Sequence, residues 1–226
     1  MSYAGAQNDV LVGAATTPEA AMRRPITMAL LMLVSLPAWG APTEGGPTGP
    51  GGVEVTCDLP VSLRQKNVGG RDGAGCCTFA SVQHGARYQN ERRLWNFLSD
   101  VAAHERGGGW PRKMDAMLAK YGQGTPYLQY EGTDPAILEA ALKSGRMPAV
   151  TYNGHDPHYG MNHSIAHMVN LVHLDEKCAA ILDNNFTADL SLVWMSRQEF
   201  LQRWTGGGSG WAVVLLSPAP APVPRP

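Results

Sequence analysis

The apolar residues of this chain change period once, at Gly145, and that change limits the architectures open to it. Before it, Phe79, Val82 and Ala86, then Trp95, Leu98 and Val101, then Met114, Met117, Leu118 and Tyr121 recur at three- and four-residue spacing. That is the period of helices with one buried face. Ile137, Leu138, Ala141 and Leu142 predict a fourth short helix, entered through Asp134-Pro135. Beyond Gly145 the apolar runs are short and β-type, at 147–152, 167–174, 178–183 and 211–217, with Asp175 to Cys178 as a hairpin turn. One helix, 196–204, interrupts them, with Ser196 as N-cap and Glu199 three residues on. The pattern predicts an α+β fold, a helical half followed by an antiparallel β half.

The ends of the chain read differently. Arg23 and Arg24 precede an apolar run, 26–36, and Ala38 and Gly40 supply small residues ahead of Ala41. This is the layout of a signal peptide, and the run falls short of the roughly 20 apolar residues of a membrane span. Residues 1–40 are therefore expected to be a signal peptide region, with Met22 a candidate start. The protein is expected to be exported and to keep no membrane span after cleavage. Residues 41–53 are so rich in Gly and Pro that they read as a linker, and 218–226 as an extended Pro/Ala tail. The folded domain is expected over 54–217, one core's worth of chain at 44% apolar content. With 18 basic against 19 acidic residues, there is no basic field to recruit nucleic acid or anionic lipid.

Two of the four cysteines, Cys76 and Cys77, stand together where the glycine-rich stretch from Gly69 to Gly75 gives way to the first helical pattern. A sulfur in the first turn of a helix meets unpaired backbone N–H groups that favour its thiolate, and a neighbouring imidazolium favours it further. The glycines let backbone N–H groups approach a developing oxyanion. Four histidines, His155, His158, His163 and His167, fall within one short stretch, but three lie in a Gly/Asn/Pro-rich loop with no helix to set ligand spacing. They read as a polar loop leading into the strand of His167, so no metal is expected. His84, His104 and His173 read as ordinary core or surface residues, and Asn162, Asn170 and Asn185 as turn and strand positions.

Three stretches, in order, resemble the papain-like cysteine peptidases. Gly75-Cys76-Cys77-Thr78-Phe79-Ala80-Ser81 is similar to the Gly-Ser-Cys-Trp-Ala-Phe-Ser that opens the family's nucleophile helix. This register makes Cys77 the nucleophile; a shift by one, to Cys76, gains the Phe but loses the Gly and the Ser. Gly108-Gly109-Trp110-Pro111 resembles the family's Gly-Gly-Tyr-Pro, which borders a substrate side-chain pocket. His167 to Phe186 resembles the strand, hairpin and strand that carry the base and its orienting residue. The resemblance implies His167 as the base, with Asp183 or Asn184 orienting it according to the alignment. The bacteriocin-processing double-glycine peptidases, a branch of the family, use Asp there, and papain uses Asn. The family's oxyanion-hole glutamine lies six residues before the nucleophile, where this chain has Arg71, leaving Gln65 and Asn67 as the available amides.

The resemblance implies a papain-like fold with a cleft between its halves. It also implies a secreted thiol hydrolase that cleaves peptide or amide bonds in a peptide or protein substrate without metal or organic cofactor. With Cys77 as nucleophile, an exported chain is expected to pair two of Cys57, Cys76 and Cys178; a vicinal Cys76–Cys77 disulfide is the redox-lock alternative. Two other functions share these residues. One is a papain-like binding or scaffold module without turnover, to which the displaced glutamine points; the other is an amidase or acyltransferase acting on cell-wall peptides.

Overall fold

The computed structural model describes residues 42–159, 164–188 and 191–217. The expected signal peptide and the Pro/Ala tail lie outside the described residues, as do Asn162 and His163. The described chain is a mixed α/β fold of five α-helices and one seven-stranded antiparallel sheet. In chain order the elements are β1 (Thr43–Gly45), α1 (Cys77–Tyr88), α2 (Phe97–His104), α3 (Pro111–Tyr121), β2 (Tyr127–Gly132) and α4 (Ala136–Lys143). They continue with β3 (Ala149–His155), β4 (Ser164–Leu174), β5 (Cys178–Leu182), β6 (Leu192–Ser196), α5 (Arg197–Thr205) and β7 (Gly210–Leu215). The sheet order is β1-β6-β5-β4-β3-β7-β2.

All five expected helices form where the period put them. Pro111 opens α3 and Ser196 caps α5, its Oγ accepting from Glu199 N–H at 3.0 Å. At α4 the cap is shifted by one, with Pro135 at the N-cap and Asp134 Oδ1 accepting from Ala136 N–H. Alternate residues of the central strands serve two cores, as the two-residue period of a strand requires. Ala149, Met168, Val213 and Leu215 pack with Phe79 and Val82 of α1, Leu98 of α2 and Met114 of α3. Val150, Tyr152, Val169 and Ala212 belong with Leu138 of α4 and with Phe200 and Trp204 of α5. Among the described residues no helix is long and apolar enough to cross a membrane.

Three expectations are corrected. The first half is not purely helical, because β2 lies within it and pairs along its whole length with β7; its half-exposed Tyr-Leu-Gln-Tyr-Glu-Gly has no continuous apolar run to announce a strand. Residues 41–53 are not a bare linker, because β1 pairs with β6 and Trp194 Nε1 donates to Gly46 O at 3.0 Å. A Cβ on Gly49 would lie 2.5 Å from the Trp194 ring, so the glycine that suggested a linker is what lets the backbone cross the indole. Nor is there a disulfide: all four cysteines are free. Cys57 and Cys178 lie in one core and Cys76 in the other, and the Cys57 thiol turns to Arg146 O at 3.7 Å.

Candidate active site

The site is built where the first turn of α1 meets the middle of β4. Cys76 is the N-cap of α1 and Cys77 its first residue. Cys76 is fully buried in the core on the α2–α3 side, and burial pushes its thiol pKa up. Cys77 is half-buried and hydrogen-bonds to His167. Its burial opposes ionisation, but the hydrogen bond and charge of His167, with help from Met168 and Thr78, hold the thiol below its ordinary pKa. Of the two adjacent cysteines, only Cys77 is bonded to an imidazole and has its thiol pKa lowered.

His167, on β4 opposite Tyr152, is 8% exposed. Its Nε2 lies 2.9 Å from Asp183 Oδ1, which leaves Nδ1 to face the Cys77 sulfur. Burial disfavours the imidazolium, yet the hydrogen bonds and charges of Asp183 and Cys77 raise its pKa to about 9. Burial likewise works against the Asp183 carboxylate. It nevertheless stays below the usual carboxylate range through His167, the Tyr159 hydroxyl and the Asn185 N–H, which donates to Oδ1 at 2.8 Å. Cys77, His167 and Asp183 thus form one hydrogen-bonded array in which the thiol and the imidazole each favour the other's charged form.

Asn184 does not orient His167. Its amide donates to Ser81 Oγ and Met168 O, both at 2.8 Å, and to Cys77 O at 3.1 Å. It ties the turn after β5 to α1 and β4, and so fixes where Cys77 stands relative to His167.

The two amides considered for the oxyanion separate clearly. Gln65 is turned away, its N–H donating to His84 Nε2 at 2.7 Å and its Oε1 accepting from Arg87 at 3.4 Å. Arg87 is ten residues along α1 from Cys77, about 15 Å at 1.5 Å per residue. Asn67 lies at the site: its Oδ1 accepts the Cys76 N–H at 2.9 Å and its Nδ2 donates to Asn185 Oδ1 at 3.0 Å. The acceptor role of Oδ1 fixes which end of the amide is nitrogen, and that nitrogen carries a second N–H beyond the one given to Asn185. Arg71 is exposed on the loop, its backbone N–H bonded to Glu105 O.

No family model matches the chain, and no curated protein matches its sequence.

Two residues escaped the sequence reading, Tyr159 and Asn185. Tyr159 donates to Asp183 Oδ2 and accepts from Asn185 Nδ2 at 3.0 Å, and its ring meets that of His167 edge-on. A continuous hydrogen-bonded circuit results, running from Cys76 N–H through Asn67, Asn185, Tyr159, Asp183 and His167 to Cys77. It links the Asn67 side of the site to the His167 side. The only available signal was position: Asn185 lies two residues beyond Asp183, and Tyr159 lies in the polar loop leading to His167.

The Gly-Gly-Trp-Pro segment borders the same turn. Gly108 N–H donates to Gly75 O at 2.8 Å, and Gly107 N–H to Asp72 Oδ1 at 2.7 Å. A Cβ on Gly109 would lie 2.3 Å from Thr78 Oγ1, so this segment is pressed against the first turn of α1. Trp110, 54% exposed, stands at its edge with the Lys113 ammonium 5.1 Å from the ring centroid, and Pro111 begins α3 behind it. A cavity of about 1060 Å³ lies elsewhere, at the far end of the β4–β5 hairpin, and its lining includes none of these residues. Among the described residues, one group of three possible metal donors lies beside that cavity: His173, Asp175 and Cys178.

Proposed function

We propose that this protein is an exported thiol hydrolase of papain-like fold, cleaving peptide or amide bonds through Cys77, His167 and Asp183. The observation that carries the reading is the pairing of a helix-N-terminal cysteine with a buried histidine whose far nitrogen is held 2.9 Å from a carboxylate. Such an array gives a nucleophile at neutral pH and a proton donor beside it. The Cys77 thiolate attacks the carbonyl carbon, and the oxyanion that forms lies between the Cys77 N–H and the second N–H of Asn67. As the first helical residue, Cys77 has no intrahelical acceptor for its own N–H. His167 gives its Nδ1 proton to the leaving amine, leaving an acyl thioester on Cys77. The neutral ring then takes a proton from water as the water attacks the thioester, returning the acid and the thiol. Asp183 keeps its charge throughout and fixes the ring, while Tyr159 and Asn185 fix Asp183. Trp110 and Gly109, beside the nucleophile's helix, form one wall of the substrate groove.

The test needs no substrate. The chain is treated with iodoacetamide from pH 5 to 9 and each cysteine mapped by mass spectrometry. The reading expects Cys77 to be labelled well below pH 7, and that low-pH reactivity to vanish in His167→Ala. A Cys77 that titrates near 8.5, as a free thiol does, would leave the non-catalytic module as the better account.

A further inference from the structure

The β4–β5 hairpin carries the base near one end; its other end assembles a second set of donors. Between Leu171 and His173 the register shifts, so that Leu171 pairs with Ile181 but His173 with Ala180. The extra residue, Val172, turns His173 to the opposite face from Leu171 despite their even spacing. Asp175, two residues on, shares the new face. Cys178 is across the turn, with Asp175 N–H donating to Cys178 O at 3.0 Å. The bulge therefore brings an imidazole, a carboxylate and a thiol to one place.

Their remaining bonds turn one donor atom of each towards the other two, with Asp175 facing both the imidazole and the Cys178 thiol. Thr56 Oγ1 lies 3.1 Å from His173 Nδ1 and holds that edge of the ring, whereas the buried Nε2 has no hydrogen-bond partner. Asp175 Oδ1 is used by the turn, accepting from Lys177 N–H and Cys178 N–H at 2.7 Å each. Oδ2 is not, and it faces His173 Nε2 across a 3.3 Å ion-pair contact that a metal ion would replace. Two ligands about 2.1 Å from one tetrahedral zinc ion stand about 3.4 Å apart, and a nitrogen and a sulfur about 3.6 Å. The three donor atoms lie within 4.8 Å of one another, so roughly an ångström of side-chain movement completes the set. Asp175 and Cys178 also line the 1060 Å³ cavity, which supplies an entry path and room for a water in the fourth position.

We propose that His173, Asp175 and Cys178 form a zinc site with one open position, closing the tip of the hairpin that carries His167. Imidazole nitrogen, carboxylate oxygen and thiolate sulfur together are a zinc-type donor set rather than a calcium or magnesium one. Thr56 is the outer partner that fixes the imidazole. On binding, the Cys178 S–H gives way to a sulfur–metal bond and the proton leaves to solvent.

The experiment uses the full chain carrying Cys77→Ala, so that the active-site thiol cannot answer for the new one. It is dialysed against zinc for elemental analysis and titrated with cobalt(II) for its thiolate charge-transfer band. The proposal expects one ion per chain and a near-ultraviolet cobalt–thiolate band that Cys178→Ala abolishes and Cys57→Ala leaves unchanged. Asp175→Asn keeps an oxygen for the turn N–H groups. It should weaken binding at least as much as the 10- to 100-fold typical of losing an outer-shell partner, which preserves the test if Cys178→Ala does not fold. Failure to retain zinc stoichiometrically, a cobalt complex without a thiolate band, or a band that survives Cys178→Ala would each overturn the site.

Discussion

Replacing Asp183 by Asn tests the electrostatic core of the site while keeping its shape. The amide oxygen can take the place of Oδ1, accepting from Asn185 N–H and facing His167 Nε2, while the amide NH2 takes the place of Oδ2 and donates to the Tyr159 oxygen, so the circuit keeps its shape with one bond reversed. What disappears is the negative charge. Burial alone pulls the imidazolium below its ordinary 6.5, and the contacts of Asp183 and Cys77 lift it to about 9. Without the carboxylate the ring keeps only the support of Cys77 and its pKa falls from about 9 towards the ordinary 6.5; each pKa unit of that fall lowers the imidazolium–thiolate population about tenfold, or about 1.4 kcal/mol. The assay is the alkylation rate of Cys77 against pH. Wild type should show a reactive limb near pH 6, and Asp183→Asn should lose that limb by one to two orders of magnitude while reacting normally above pH 8. If the folded variant keeps its rate at pH 6 within about threefold, Asp183 does not sustain the pair and the assignment of its role is wrong.

Asn67→Ala should lower kcat by about 10²–10³, the usual effect of one oxyanion donor, with little change in the pH at which Cys77 alkylates; Gln65→Ala should leave kcat near wild type, and the reverse order would exchange their roles. Gly109→Ala forces a methyl onto Thr78 and should destabilise the fold by about 1–3 kcal/mol, read from urea midpoints; an unchanged midpoint would show the segment free to move. His84 is buried neutral, its pKa pushed down to about 4 by burial against the support of Asn170 and Gln65. A base depressed from 6.5 to 4 binds fewer protons folded than unfolded in that window, so stability is whole above pH 6.5 and falls as pH drops towards 4. The loss should be about 2 kcal/mol at pH 5 and about 3 kcal/mol at pH 4, seen as the difference between wild type and His84→Gln in urea titrations. Parallel curves for the two would refute it.

The helices and the central hairpin could be read from the sequence because both rest on local periodicity: Phe79, Val82 and Ala86 face the sheet, and the Asp175–Cys178 turn sets the pairing of β4 and β5. The pair of Cys77 with His167 was legible as a motif, since a helix start and a strand offer few registers. Asp183 and Asn184 could not be separated, because adjacent residues at a strand end face opposite ways and only the register with β4 decides which meets the imidazole. Gln65 and Asn67 posed the same difficulty in a loop without any period. β1 was hidden for a different reason: its contacts belong to Trp194, about 150 residues away, and composition reports only what a segment can bury by itself. Tyr159 and Asn185 act through polar bonds, which leave no trace in a hydrophobic pattern.

The absence of any disulfide among the four cysteines has a practical consequence for the protein's life under oxidants. Cys57, Cys76 and Cys178 are buried and Cys77 is partly exposed, although Cys178 also lines the cavity at the hairpin tip. No thiol bridge has to form for the chain to fold, so reducing and oxidising compartments should yield the same tertiary structure. Peroxide, in contrast, meets one cysteine that is both partly exposed and held below the ordinary thiol pKa. A low-pKa, accessible cysteine is the one that proceeds to sulfenic acid, so oxidative stress should modify Cys77 first while leaving the scaffold intact and, on the proposed function, silence the protein there, and a thiol reductant would restore it until the sulfur reaches the sulfinic state.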